Sequence, residues 1–152
     1  MGSEMCIRDR VIEDQISKTA PMLLDDTKNI FKILRSGKIT EDFPLPLYSL
    51  FNIEIQPFMI SWMQYDPKKI IAKIPIPSLI INGDSDLQVD EKEAKLLYNS
   101  AQNSEILIVK NMNHVLVEIE GDELKNVKSY NNPDLKISEL VIEKMVEFIE
   151  RL

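Results

Sequence analysis

Apolar residues recur along this chain in two different rhythms. From Val11 to Ser36 the residues Ile12, Ile16, Leu23, Ile30, Phe31 and Leu34 return at near-helical spacing, with charged residues between them. That period predicts a helix with one buried stripe. Pro21 interrupts it. Proline removes a backbone donor, so the helix should kink or split there, with Thr19 as cap and Pro21 in the first turn of the second part. Gly37 suits the residue after a helix end. Lys38 to Tyr48 carries Pro44 and Pro46 and reads as an extended connector. Leu47 to Asn52 reads as one short helical turn, and Gln56 to Tyr65 as a further helix with Pro57 in its first turn. Asp66-Pro67 ends that helix, because a residue before proline disfavours α geometry. Pro67 to Ala72 adds one more turn.

After Pro75 the rhythm changes. Ser78 to Ile81 is a short run without polar alternation, which suits a strand covered on both faces in a parallel sheet. Asn82-Gly83 is expected to stop it, since both residues tolerate positive φ. Glu105 to Lys110 is a second run of the same kind. Between the two, Glu91 to Ala101 reads as a helix whose core face is Ala94, Leu97 and Ala101. Asp90-x-x-Glu93 supplies a capping-box pattern at its start. Strand, helix and strand in one sheet imply a right-handed crossover. Leu116 to Ile137 is polar, with Gly121, Asn131, Asn132 and Pro133 as turn signals, and is expected to be a long loop. Ser138 then caps a last helix in which Val141, Met145, Phe148, Ile149 and Leu152 share one face. The fold class read from this order is α/β: helices first, then two parallel strands with a crossover and carboxyl-terminal helices.

Composition narrows the picture only in places. An apolar content of 44% and a charged content of 28% describe an ordinary folded domain, and 152 residues are enough for one core. A formal net charge of −7 argues against nucleic acid or an anionic membrane as a partner held by bulk charge. No apolar run approaches the ~18 residues a membrane span needs. The single cysteine, Cys6, lies in the opening decapeptide Met1 to Arg10, which has neither periodicity nor signal-peptide layout. That decapeptide reads as a non-native leader and is set aside from the fold. The remainder has no cysteine for a disulfide or a thiolate metal site. The expected divisions are 1–10 as leader, 11–66 as a helical segment and 67–152 as an α/β segment. Nothing in the sequence fixes a compartment.

The chemistry gathers after the two strands. Asp84 and Asp86 follow the first, and His114, the only histidine, follows the second. In open α/β sheets the carboxyl edge is where ligands and reacting groups collect. A carboxylate and an imidazole after successive strands form the pair that general-base chemistry requires. Taken singly, each has a plainer reading: the aspartates shape an Asx-turn and the histidine is an ordinary loop residue. A metal site from Asp84, Asp86, Asp90 and Glu91 is disfavoured, because the spacing is not that of a calcium loop. No cofactor is expected.

The segment Ile76 to Val89, with Gly83-x-x-Asp86-x-x-Val89 after a strand, resembles the acid-bearing segment of the α/β-hydrolase family. Asn111 to Leu116 resembles that family's histidine loop, and the 28 residues from Asp86 to His114 leave room for one crossover helix. The resemblance covers residues 11 to 152. It implies a serine hydrolase in which His114 is the general base and Asp86 its orienting acid, with Asp84 the alternative acid. It also implies a helical cap over 11–66, in which Phe58, Met59, Trp62 and Met63 are candidate contacts for a small ester with an apolar acyl group. Core packing is the plainer role for those four. One element departs from the family. The nucleophile motif G-x-S-x-G is absent, since none of the glycines Gly2, Gly37, Gly83 and Gly121 brackets a serine at that spacing. The chain is therefore expected to be the carboxyl-terminal part of a longer fold, inactive alone and lacking the amino-terminal half that carries the serine. Peptidase or lipase chemistry on the same scaffold, or a binding domain without catalysis, are the alternatives.

Overall fold

A computed structural model describes residues 7–152 of the chain. The leader expectation for residues 1–6 lies outside those described residues. The chain divides into two compact units, one ending at Pro67 and one running from Lys68 to Leu152. Among the described residues, no helix is long and apolar enough to cross a membrane.

The first unit is helical. Helix α1 spans Ile7–Thr19 and α2 spans Leu24–Arg35, separated by a 3-10 turn at Pro21–Leu23. The proline splits the helix as its missing donor requires. Thr19 does not cap the second part: its hydroxyl donates back to the Gln15 carbonyl. The residues 7–10 set aside from the fold form the first turn of α1. Asp9 is fully buried there and accepts from Arg35 Nη2 at 2.6 Å and Nε at 3.1 Å. A carboxylate removed from water needs such a partner. Ile16, Ile30, Phe31, Leu34, Leu47, Phe51 and Met59 make the core of this unit, with Phe31 set edge-on to Phe51 at 5.3 Å.

Two short helices complete the unit, α3 at Tyr48–Phe51 and α4 at Gln56–Met63. Gln56 is fully buried and fully used. Its Oε1 accepts from Thr40 N at 2.8 Å, and its Nε2 donates to the carbonyls of Thr40 at 2.7 Å and Phe51 at 2.6 Å. One side chain thus ties the proline-held connector to α3. Satisfying all its polar atoms is what makes its burial tolerable.

The second unit is α/β. Helix α5, Pro67–Ile71, leads into strand β1, Ser78–Gly83. Helix α6, Glu91–Ser100, crosses to strand β2, Ser104–Val109, which pairs with β1 in parallel from Ser78↔Ser104 to Gly83↔Val109. Asp90 caps α6 by accepting from Lys92 N. The Asn82-Gly83 turn expected after Ile81 is not there. Both residues stay in the ladder, opposite Ile108 and Val109. Gly83 is required for a different reason: a Cβ on it would lie 1.9 Å from the Met112 carbonyl oxygen. The glycine admits the backbone of the next loop rather than a left-handed turn.

The long loop expected over 116–137 also differs. It contains helix α7, Glu123–Ser129, started by Asp122, whose carboxylate accepts from Lys125 N at 3.0 Å. An N-cap satisfies a donor that would otherwise be free, and this is the local signal for the helix. Helix α8, Glu139–Glu150, begins at Ser138 as expected, and the Ser138 hydroxyl also meets Glu118. Its apolar face is another matter. Val141 packs with Val109 and Met112 in the small core of this unit, but Met145, Ile149 and Leu152 stay 45%, 62% and 73% exposed. Ile142 and Val146 are half open as well. The strands, read as covered on both faces, are only partly buried over Ser78–Ile81.

Two outcomes follow from this packing. Replacing Gly83 by alanine forces the Met112 backbone away and should cost about 3 kcal/mol, read as a lower urea midpoint with unchanged slope. The open apolar stripe on α8 should make the chain self-associate. Light scattering after size exclusion should show a shift toward monomer for Ile142→Lys with Val146→Lys, without loss of helical signal; an unsubstituted chain that is already a monodisperse monomer would contradict this.

Candidate active site

The two strands end side by side, so the loops that follow them are neighbours by construction. From β1 the chain turns at once into Asp84-Ser85-Asp86. Backbone bonds tie this turn to β2 and its loop: Asp84 N donates to the Val109 carbonyl at 3.1 Å, and Ser85 N to the Met112 carbonyl at 3.1 Å. The close approach of Gly83 to Met112 makes the second bond possible. Asp84, the alternative acid, is turned to structural use. Its Oδ1 accepts from Asn111 N at 2.6 Å and from the Ser85 hydroxyl at 3.1 Å.

Asp86 divides its two oxygens between two tasks. Oδ1 accepts from Gln88 N at 2.7 Å and Val89 N at 2.9 Å, an Asx-turn that fixes the carboxylate plane. Oδ2 lies 2.9 Å from Nδ1 of His114. The plain reading of Asp86 and the chemical one are therefore both realised, by different atoms. The Asp86 side chain is 4% exposed and that of His114 43%. An ionised carboxylate only accepts, so in a neutral ring this contact calls for the Nδ1–H tautomer, which leaves Nε2 as the basic nitrogen. A half-exposed imidazole oriented by a buried carboxylate can take a proton from a hydroxyl and return it to a leaving group. Among the described residues, no serine hydroxyl is bonded to that ring.

The histidine loop is held under strain. Asn111 and Leu116 adopt φ of 59° and 62°. Asparagine tolerates this, but for leucine the left-handed region costs about 1–2 kcal/mol. The opposing force comes from Asn113, which is 1% exposed. Its Oδ1 accepts from Val115 N at 3.1 Å and Val117 N at 3.2 Å. Its Nδ2 donates to Asn126 Oδ1 at 3.0 Å and to the Ser129 hydroxyl at 2.6 Å. Four bonds on one buried amide outweigh one strained residue, since each buried group left unpaired costs about 1–3 kcal/mol.

Sequence reasoning passed over Asn113, Asn126 and Ser129. The available signal was Asp122 as a helix cap, which brings Asn126 and Ser129 onto neighbouring positions of one helix. No group of three or more histidine, cysteine, aspartate or glutamate side chains among the described residues is placed to hold a metal. Asp84, Asp86 and Asp90 are each engaged as described. The four apolar candidates lie in the first unit. Met59 is 2% exposed and belongs to its core, so it has no surface to offer a ligand. Trp62 and Met63 pack against that core, and Phe58, 63% exposed, meets Trp62 edge-on at 5.2 Å.

Comparison with known proteins yields no matching family model. Over 121 residues the chain is 27% identical to Esterase EstD of Thermotoga maritima, a match covering 74% of this chain and 28% of that protein. The chain thus spans little more than a quarter of the length of this relative. A crystal structure of bromoperoxidase from Bacillus anthracis aligns over 95% of this chain and 47% of its own, at 20% identity and a TM-score of 0.40. The chain is distantly similar to an esterase, and its second unit is an α/β fold.

The geometry separates the residues that hold this site from the residue it presents. Asn113→Ala should lower stability by about 3 kcal/mol, because it strands several buried partners at once. His114→Gln, at an exposed position, should stay within about 0.5 kcal/mol of the parent. Urea unfolding of both variants distinguishes these outcomes.

Proposed function

We propose that this chain supplies the acid and the general base of a serine hydrolase acting on carboxylic esters, within an α/β-hydrolase fold. The observation that carries the reading is the 2.9 Å contact between Asp86 and His114, each just past the carboxyl end of one of two adjacent parallel strands. Similarity to an esterase supports it. In this reading the nucleophilic serine stands on sequence outside these 152 residues, in the amino-terminal half of the same fold. His114 Nε2 takes the serine proton as Oγ bonds to the ester carbonyl carbon. The C–O bond to the alkoxy group then breaks, and that group leaves as the alcohol with the proton from His114. Water repeats the sequence, freeing the acid and restoring the serine. Asp86 holds the ring in the Nδ1–H tautomer throughout and stabilises the imidazolium while it exists. The exposed apolar stripe of α8 is the surface that the remainder of the fold would cover. Phe58, which meets Trp62 edge-on, and Met63 carry the expectation of an apolar acyl group.

The test uses an activated short-chain ester and a fluorophosphonate probe. The 152-residue chain alone should show neither turnover nor labelling. A longer protein carrying this sequence should hydrolyse the ester, and His114→Ala or Asp86→Asn should each lower kcat about 10⁴-fold. Stoichiometric labelling of one serine within the 152 residues, abolished by His114→Ala, would refute the missing-nucleophile part. Activity in the longer protein that is indifferent to both substitutions would refute the assignment of the pair.

A further inference from the structure

Helix α7 touches both loops of the candidate site, and it does so through two residues one turn apart. Asn126 Nδ2 donates to the Ser85 carbonyl at 2.7 Å, on one side of Asp86, while its Oδ1 accepts from Asn113 Nδ2 at 3.0 Å, on one side of His114. Tyr130, the residue that closes α7, repeats the pattern. Its hydroxyl oxygen accepts from Leu87 N at 3.2 Å, on the other side of Asp86, and from His114 N itself at 3.4 Å. Residues at i and i+4 share one face of a helix, so both bridges point the same way. Each of the two residues joins the acid loop to the histidine loop. Together they hold the backbone immediately before and after Asp86, the backbone amide of His114 and the side chain of Asn113 before it.

We infer that Asn126 and Tyr130 are positioning residues, and that α7 is a clamp that fixes the Asp86–His114 contact. The inference rests on that pair being the working site, yet the clamp itself concerns geometry and is read without turnover. Three physical points carry it. First, the imidazole is 43% exposed, so surrounding side chains do not fix the ring by packing. Its position depends on where the backbone at His114 is held. Second, the loop that carries it includes Leu116 in a left-handed conformation, so it relaxes if released. Third, apart from the Asp86–His114 contact itself, the direct bonds between the two loops among the described residues run through Asp84 and Ser85. The Leu87 and His114 amides are the groups nearest the contact that α7 alone engages. A separation error of about 1 Å at such a contact is enough to lose it.

The clamp explains a feature of the sequence that the hydrolase resemblance leaves unused. The polar segment between the histidine loop and the last helix spends its side chains inward, on Asn113, Ser85 and Leu87. Asn126 and Ser129 are buried although they lie in a stretch that reads as solvent-exposed.

Two substitutions separate positioning from simple stability. Tyr130→Phe keeps the ring and removes the shared acceptor. Asn126→Asp keeps the Oδ1 acceptor for Asn113 and removes the donor to Ser85. Hydrogen exchange of the full 152-residue chain should show about three- to tenfold faster exchange in peptides covering 85–90 and 111–117 for Tyr130→Phe, with peptides from α6 and α8 unchanged. His114 is the only histidine, so selective ring labelling with nitrogen-15 gives one pair of signals. In the parent these should report the Nδ1–H tautomer set by Asp86. In Tyr130→Phe and Asn126→Asp they should move toward the Nε2–H mixture of a free histidine. Three results would overturn the inference: parent loops that exchange as unstructured chain, exchange that rises equally over all peptides, or ring signals unmoved in both variants. None of these bears on ester turnover. A sound clamp with an inactive longer protein would instead count against the hydrolase reading alone.

Discussion

The two oxygens of Asp86 set the terms for the rest of the second unit. One accepts from the Gln88 and Val89 amides, so the carboxylate cannot rotate; the other faces His114 Nδ1. A carboxylate free to turn would spend much of its time hydrated or bonded elsewhere, and would orient the imidazole poorly. Fixing it with two backbone donors removes that freedom before the histidine arrives. The site then needs only to bring the histidine backbone to the right place, and most of the local architecture serves that need.

Each supporting feature answers a specific physical difficulty. Parallel pairing of β1 with β2 ends both strands at one edge, so two loops meet there. Gly83 lets the Met112 backbone come closer than any side chain would allow, which makes the Ser85–Met112 bond possible. Asn113 replaces the backbone partners that the tight loop cannot supply, and its four bonds offset the left-handed Leu116. Helix α7 then joins the two loops from outside the sheet. Asn113, Asn126 and Ser129 form one connected network with their buried side-chain atoms paired, whereas Asn82 Oδ1 within β1 is buried without a hydrogen-bond partner.

The apolar surfaces of the same unit are far less settled than its polar interior. The core around Val109, Met112 and Val141 is small, and a two-stranded sheet is marginal on its own. Helix α8 leaves Ile142, Met145, Val146 and Ile149 substantially open to water. Hydrophobic burial ordinarily dominates folding, yet here the well-determined part is hydrogen bonded and the apolar part is half used. The first unit has the reverse balance, with seven buried apolar residues in one cluster and a single satisfied glutamine, Gln56, tying its connector.

Sequence alone determined the elements with a strong period or a strong punctuation: the split at Pro21, the helix after Asp90, the two strand runs and the start of α8 at Ser138. These follow from nearest neighbours along the chain, where propensity, capping and proline geometry act. It also determined that an aspartate and a histidine follow successive strands, which drew attention to Asp86 and His114. Tertiary structure decided what local rules do not reach. Gly83 read as a turn glycine because Asn-Gly favours positive φ, but contact with Met112, far along the chain, keeps it in the strand. The family resemblance favoured Asp86 over Asp84 by its place after Gly83, but what each carboxylate meets, the Asn111 amide for Asp84 and the His114 ring for Asp86, came only with the fold. Met59 and Phe58 are adjacent, yet one is buried and the other is not. The segment after Leu116 looked like loop because its buried residues are polar. Hydrophobic periodicity is blind to a helix whose inward face is asparagine and serine, since the partners that make that burial possible come from Asn113 and Ser85, brought near only by the fold.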